Sequence, residues 1–323
     1  MAASSALSGI ATALQRRDKQ KLSQALAAIE REPESAATLA LLDEAWNAPV
    51  ARTIGLTGPP GVGKSTLAGA LIRHWRGAGH TVGVIAVDPS SRKSGGALLG
   101  DRTRLRTDPD DAGVFIRSMA ARDRLGGLAD LTFAGMVLLR ALFDRVLVET
   151  VGVGQSETDV ADCTDTVLFC VQPGSGDSLQ FMKAGIVEIP DLVVVTKADL
   201  GEAALRACSD VAGALSLAPA DRASGSDRPV PVLAISAQTG AGLDALDSAL
   251  DAHAAWLAEA GRLAARRRSQ AETWTRAFVR NQFGREGLNR LGDFEYPLNI
   301  SPFRRAAALA GGAGGDGRDT HGE

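Results

Sequence analysis

The spacing of apolar positions along the chain changes character near residue 49. Before that point they recur at helical intervals, at Leu22, Leu26 and Ile29 and again at Leu39, Leu42 and Trp46. Pro33 separates the two stretches and Pro49 closes the second. Further upstream, Leu7, Ile10 and Leu14 fall on one face of another helix. Beyond residue 49 the pattern becomes strand, loop and helix in repetition. Short apolar runs at Thr53–Thr57, Val82–Val87, Val114–Ile116, Arg145–Val148, Thr166–Val171, Leu192–Val195 and Val230–Ile235 read as strands. Helix-length stretches lie between most of them, at Ser65–Arg76, Gly126–Phe143, Glu202–Leu215 and Leu243–Leu257. This alternation predicts an α/β fold in three layers, with a mostly parallel sheet covered by helices on both faces. Such sheets bind ligands at the carboxyl ends of their strands.

From Gly261 the chain turns basic and helical, Arg262 to Gln282, with Trp274 and Phe278 one turn apart. The last twenty residues are rich in Gly and Ala and are expected to be disordered, because they bury too little apolar surface to offset chain entropy. The expected organisation is therefore an N-terminal helical segment over 1–48, a main domain over 49–258, a C-terminal helical extension over 259–303 and a disordered tail over 304–323.

Composition narrows the function classes. A formal net charge of −3 lacks the basic excess of a nucleic-acid footprint, so no nucleic-acid partner is expected. No apolar run reaches the length of a membrane span; Arg140, Asp144 and Arg145 interrupt the longest candidate, Phe133 to Val148. Cys163, Cys170 and Cys208 are odd in number and lack metal-type spacing, which suits small core residues in a reducing compartment. A cytoplasmic protein is expected. The acid-free start ending in Arg16-Arg17 also fits an organellar transit segment, a lesser alternative to an amphipathic helix.

Chemistry concentrates at the ends of the predicted strands. Gly58, Pro59, Pro60, Gly61, Val62, Gly63, Lys64, Ser65 and Thr66 follow the first strand and open a helix, fitting G-x-x-x-x-G-K-[ST]. Glycines let successive N–H groups curl around phosphates, and the helix N-terminus adds a positive dipole end. Lys64 would carry charge to the β- and γ-phosphates, Ser65 would ligate Mg²⁺ and Thr66 would support the α-phosphate. Asp88, Asp101 and Glu149 are the acids available for the metal, directly or through water.

A second constellation reads a base. Guanine offers two donors that one carboxylate accepts together, and Thr196-Lys197-Ala198-Asp199 supplies it in Asp199 after the strand Leu192–Val195. Lys197 would lay its aliphatic stem on the ring. Ser236 and Ala237, after the last strand, would offer a backbone N–H to guanine O6. The expected ligands are GTP or GDP with Mg²⁺. Thr196 stands where Asn is more usual, so one amide contact is absent and modest affinity is expected.

With these residues in view, the chain resembles the MeaB/ArgK (MMAA-type) GTPases, P-loop NTPases of the SIMIBI type. The resemblance covers roughly residues 50–250. It rests on Val87-Asp-Pro-Ser-Ser91, Leu99-Gly-Asp-Arg-Thr-Arg-Leu105, Val148-Glu-Thr-Val-Gly-Val-Gly-Gln-Ser-Glu157 and Pro173-Gly-Ser-Gly-Asp-Ser-Leu-Gln180 with Lys183. Glu149-Thr-Val-Gly152 replaces the usual D-x-x-G. The resemblance implies a GTP-hydrolysing chaperone that assists cofactor loading, protection and reactivation of a cobalamin-dependent acyl-CoA mutase of methylmalonyl-CoA mutase type. The implied partners are that mutase with its adenosyltransferase, and a second copy of the chain. By resemblance Asp101 falls in switch I, Glu149 with Gln155 and Glu157 in switch II, and Gly152 among the nucleotide-binding residues. Asp177 and Lys183 fall in a third switch, and Lys64, Glu149 and Gln155 are the implied catalytic residues. The stretch from Gly284 to Glu323 departs from the long helical arm that builds the family's homodimer. The arginines from Arg262 to Arg280 read as a solvated helix face.

Two other readings share the core: a metal-insertion GTPase of hydrogenase or urease maturation, and a small-molecule kinase. The first calls for soft or imidazole ligands, whereas His74, His80, His253 and His321 are scattered. The second calls for an acceptor pocket with a base, which no motif supplies.

Overall fold

The structure is a computed structural model. It describes residues 18–89, 105, 107–121, 130–150, 159–174, 189–216, 228–291, 296 and 300–312. Asp101, Gly152, Gln155, Glu157, Asp177 and Lys183 lie outside the described residues.

Among the described residues, two helices precede the sheet. Helix α1 (Lys19–Arg31) starts where the Asp18 carboxylate accepts from the Gln20 and Lys21 N–H groups. Helix α2 (Ala36–Asn47) starts where the Ser35 hydroxyl accepts from Thr38 N–H. Each cap satisfies donors that the first helical turn leaves over. The remaining elements are β1 (Arg52–Thr57), α3 (Lys64–Gly77), β2 (Val82–Pro89), β3 (Val114–Ala121), α4 (Asp130–Arg140), β4 (Arg145–Glu149), β5 (Thr166–Val171) and β6 (Leu192–Val195). They are followed by α5 (Glu202–Ser216), β7 (Val232–Ala234), α6 (Leu243–Ala258), α7 (Arg262–Leu291) and α8 (Pro302–Gly312).

The seven strands form one sheet in the order β3-β2-β4-β1-β5-β6-β7. Every pairing is parallel. The chain leaves β1 toward one edge, returns at β4, then crosses to build the other side from β5. The carboxyl end of β1 thus lies where strand order reverses, the usual place for a ligand in an open α/β sheet.

Side-chain alternation sorts the core by face. On β4, Val146 and Val148 join the cluster formed with α1, α2, α4, α7 and α8. Leu147 faces the opposite way, into the cluster with α3 and α6. On β5 and β6, Phe169, Val171, Val193 and Val195 pack with Ala204, Val211 and Leu215 of α5. Strands buried on both faces need continuous apolar runs, which is why β5 and β6 contain almost nothing polar.

Three sequence expectations change. Strand β3 runs five residues beyond its apolar run, in register with β2 through Pro89 and Ala121. Its polar Arg117 is occupied by Glu30 of α1, at 2.7 Å. The tail expected to be disordered from residue 304 is helical through Gly312, because Phe303 and Ala306 are buried. The Phe303 ring lies 4.9 Å from Trp274 and 5.9 Å from Phe133, centre to centre. Trp274 also stacks on Phe278 at 5.6 Å. The aromatic pair of α7 therefore packs on this chain's own α4 and α8 layer.

The third change concerns the arginines of α7. Arg266 and Arg267 are not a solvated face: they reach under the sheet to carboxylates at the starts of β6 and β5. Arg266 donates to both oxygens of Asp191 at 3.1 and 2.9 Å. Arg267 donates to both oxygens of Asp165 at 2.8 and 2.8 Å. Asp191 also accepts from Val167 N–H at 2.8 Å. Asp165 accepts from Thr53 N–H at 3.1 Å. Burial pushes each carboxyl upward, but the cations and hydrogen bonds around them outweigh it and hold both below the ordinary carboxylate range. Helix α7 continues past the predicted Gln282, with its helical geometry broken at Gly284 (φ 63°).

Candidate functional site

The phosphate loop connects β1 to α3 with three residues in left-handed conformations, Gly58, Gly61 and Gly63, at φ 130°, 78° and 99°. Gly58 has a second constraint. A Cβ there would sit 2.3 Å from the Cys170 carbonyl oxygen of β5, so the loop can leave the sheet here only because this residue has no side chain. Gly63 is the N-cap of α3, and the next residues, Lys64 and Ser65, occupy its first turn.

Lys64 is 6% exposed, and its ammonium lies inside the loop. It donates to the Gly58 and Pro59 carbonyls at 2.6 and 2.9 Å. The Ser65 hydroxyl donates to Glu149 Oε1 at 2.6 Å. Glu149 is 4% exposed and ends β4, paired with Leu56 on one side and Ala86 on the other. Two hard oxygen ligands of the expected metal set therefore meet beside the loop. Just beyond, the Thr150 hydroxyl lies 3.1 Å from the Thr57 hydroxyl, and Thr150 N–H donates to Leu56 O at 3.0 Å. This links the ends of β4 and β1. The backbone of Asp88 belongs to β2, opposite Ala120 of β3. Thr66 is exposed on α3.

The second half of the site follows β6 and β7. Lys197 has φ 57°, ψ 44°, a left-handed conformation rare for a side-chain-bearing residue and costly by roughly 1 kcal/mol. Its ammonium donates to Gln172 Oε1 at 2.5 Å. Asp199 accepts from the Ser236 hydroxyl at 2.7 Å. That hydrogen bond, followed by one from the backbone, holds the Asp199 carboxyl below its ordinary range. The Ser236 N–H donates to Ala241 O at 3.0 Å. Of the two residues expected to meet guanine O6, Ser236 thus spends its backbone donor inside its own turn, and Ala237 is the one to consider.

Thr196 does not face the ligand side in the manner its position in the tetrad suggests. It is 5% exposed. Its hydroxyl lies 2.6 Å from the Val62 carbonyl and 3.0 Å from the Val171 carbonyl. The two halves of the site are thereby joined through the backbone of the phosphate loop. Sequence reasoning missed this joint, as it missed Gln172 and the Thr57–Thr150 pair. Each depends on which strand lies beside which, and no local motif records that.

The arrangement brings Gly58 through Ser65, Glu149, Thr196, Lys197, Asp199, Ser236 and Ala237 to the carboxyl ends of the strands. A phosphate cradle at one end and a carboxylate reader at the other suit a guanine nucleotide. Among the described residues, no helix is long and apolar enough to cross a membrane.

Comparison with known proteins agrees with this geometry. Residues 22–289 match the family model described as "Methylmalonyl Co-A mutase-associated GTPase MeaB". A putative GTPase of Pyrococcus horikoshii is 42% identical over 246 residues, spanning 76% of this chain and 77% of that protein. The Mus musculus protein named methylmalonic aciduria type A homolog, mitochondrial, is 40% identical over 229 residues, 70% of this chain and 54% of that protein. A crystal structure of a LAO/AO transport system kinase superposes with a TM-score of 0.68 at 30% identity, covering 89% of this chain and 86% of that one. With the family match running from α1 into the last turns of α7, and a relative this similar along three quarters of the sequence, the chain belongs to the MeaB family and is a GTPase.

Proposed function

We propose that this chain is the GTP-dependent chaperone of a cobalamin-dependent acyl-CoA mutase of the methylmalonyl-CoA mutase type, assisting its cofactor loading, protection and reactivation. The observation that carries the client assignment is the family match over residues 22–289, whose description names that mutase. The mouse relative, named for methylmalonic aciduria, supports the same client. An adenosyltransferase acting with the mutase, and a second copy of this chain, are partners that follow from the same reading. We extend it to the division of the chain into segments 1–48 and 49–258 and a C-terminal helical extension that begins at 259.

At the site, Lys64 leaves its two loop carbonyls to meet the β- and γ-phosphates, while the loop N–H groups and the start of α3 bind the remaining oxygens. The Ser65 hydroxyl and the Glu149 carboxylate suit Mg²⁺, which prefers hard oxygens and takes few protein ligands when phosphates and waters complete its shell. When bound, the cation neutralises charge on the transferring phosphoryl group. Asp88 and Asp101 are the further acids for that shell. Glu149 and Gln155 orient the attacking water. Gly152 is a further nucleotide-binding residue. Asp199 accepts from guanine N1–H and the exocyclic amine, Lys197 covers the ring, and Ala237 N–H meets O6. Asp101, Gln155, Glu157, Asp177 and Lys183 convey the nucleotide state to the mutase, by the charge rearrangements such switch segments use.

The test is GTP turnover by the purified chain, alone and with a methylmalonyl-CoA-type mutase, with ATP as control. Slow, GTP-selective turnover that rises several-fold with the mutase is the expected result. Turnover indifferent to the mutase would remove the client while leaving the GTPase.

A further inference from the structure

The helices outside the nucleotide site enclose a cavity of about 180 Å³. Its walls come from α1 and α2, from α7 and α8, and from α4 of the main domain. None of its lining residues belongs to the nucleotide site. Packed helices normally leave no such room. Here short side chains, Ala134 of α4 and Ala307 of α8, line the space beside larger rings.

Those rings are Trp274 and Phe278 of α7 and Phe303 of α8. Trp274 and Phe278 are half-buried and stack at 5.6 Å, while Phe303 meets Trp274 nearly edge-on, at 66°. Aromatic faces carry negative charge density, which attracts cations and the positive edges of other rings. The charged groups share that sign. Among the described residues the lining holds two carboxylates, Glu30 of α1 and Glu34 of the turn before α2, and no Lys, Arg or His. Glu30 accepts through Oε1 from Arg117 at 2.7 Å, and among the described residues its Oε2 has no such partner. Glu34 is exposed and, among the described residues, makes no hydrogen bond or ion pair. A plain hydrocarbon would leave these oxygens unmatched, and an anion would be repelled by them. The lining therefore selects a positive charge on a flat apolar body.

We infer that this cavity is a binding site for a small organic monocation of the arylalkylammonium class, separate from the nucleotide site. The ring occupies the aromatic interior, and the ammonium, a short arm away, meets Glu34 and the second oxygen of Glu30. The size suits this class: an apolar cavity of about 150 Å³ takes one benzene ring, and the remainder holds a two-carbon arm. Because the walls belong to the N-terminal helices, the C-terminal helices and α4 together, a bound cation holds all three against one another and stabilises the folded chain by mass action.

The experiment uses the full-length chain saturated with GDP and Mg²⁺, so that the base site is filled. Three probes of similar shape are titrated by calorimetry: phenethylammonium, phenethyl alcohol and hydrocinnamate. The cation is expected to bind one-to-one with a Kd of about a millimolar or tighter, the alcohol about fivefold more weakly and hydrocinnamate not at all. Glu34→Gln is expected to bring the cation down toward the alcohol's affinity. Ala307→Phe, which fills the cavity, is expected to abolish cation binding, and Ala307→Leu replaces it should the larger ring prevent folding. Retained GDP affinity reports that each variant is folded. Equal affinity for the three probes, cation binding that survives filling of the cavity, or no cation binding at millimolar concentration would each overturn the inference.

Discussion

Arg267→Met separates the structural reading of α7 from its reading as a solvated surface. The guanidinium makes two hydrogen bonds of 2.8 Å to Asp165, whose side chain is 6% exposed. Methionine keeps much of the length and apolar stem but leaves that carboxylate without its main cation. Breaking one side of a buried pair costs about 3–5 kcal/mol. Here the lower end applies. Arg140 lies close enough to act on Asp165, and it is itself so buried, at 2% exposure, that its own pKa falls to about 10. For a chain of this size, about 3 kcal/mol corresponds to roughly 5 °C in Tm, from an unfolding entropy of about 2.1 cal/mol/K per residue. Differential scanning calorimetry of wild type, Arg267→Met, Asp165→Asn and the double variant would measure it. The double variant is expected to recover part of the loss, because the carboxylate is neutralised together with its cation and only Arg140 remains as a buried charge there. The pH dependence has a definite sign. Asp165 is held below its unfolded value in the folded chain, so its contribution is present above the ordinary carboxylate pKa and is lost as pH falls through the lowered one. The gap between wild type and Arg267→Met must therefore narrow in acid. A Tm within 1 °C of wild type near neutral pH, or a gap that persists unchanged in acid, would refute the reasoning.

Gly58→Ala places a Cβ 2.3 Å from the Cys170 carbonyl at φ 130°, so either the loop or β5 must move. GTP affinity is expected to fall by at least a hundredfold in titration, while a fold-retaining change with normal binding would show that the loop tolerates a side chain. Glu149→Gln removes the charge that receives the Ser65 hydroxyl. Its GTP turnover is expected to require about tenfold more Mg²⁺, measured as the Mg²⁺ concentration at half-maximal rate, and an unchanged requirement would exclude Glu149 from the metal shell. Asp199→Asn is expected to weaken GTP by about a hundredfold and strengthen xanthosine triphosphate, since xanthine presents an acceptor where guanine has a donor. Equal affinities of wild type and variant for GTP would remove Asp199 from the base site.

The strand assignments show how far local pattern reaches. Thr166–Val171 and Leu192–Val195 appear in the sheet with the same bounds as their apolar runs, because a strand covered on both faces is apolar throughout. β3 was legible only to Ile116, since an edge strand with Arg117 facing α1 carries no such run. The end from residue 304 looked featureless, and its helix is seated by Phe303. Phe303 in turn packs on Phe133 and Trp274, which are distant in sequence.

By itself the sequence determined the α/β alternation, the phosphate loop from Gly58 to Thr66, the base reader at Asp199 and the family resemblance. These are written in consecutive residues, because a strand, a turn and a helix start are local and the ligand groups they present are adjacent. Tertiary structure decided what the intervening residues do. Arg266 and Arg267 became half-buried struts on buried carboxylates because α7 passes beneath the strand starts that bear Asp191 and Asp165. Thr196 became a joint between base loop and phosphate loop because β6 ends beside β5 and over Val62. Such roles depend on strand order and on which buried donor meets which carbonyl. Those are long-range consequences of packing, and no short stretch of sequence encodes them.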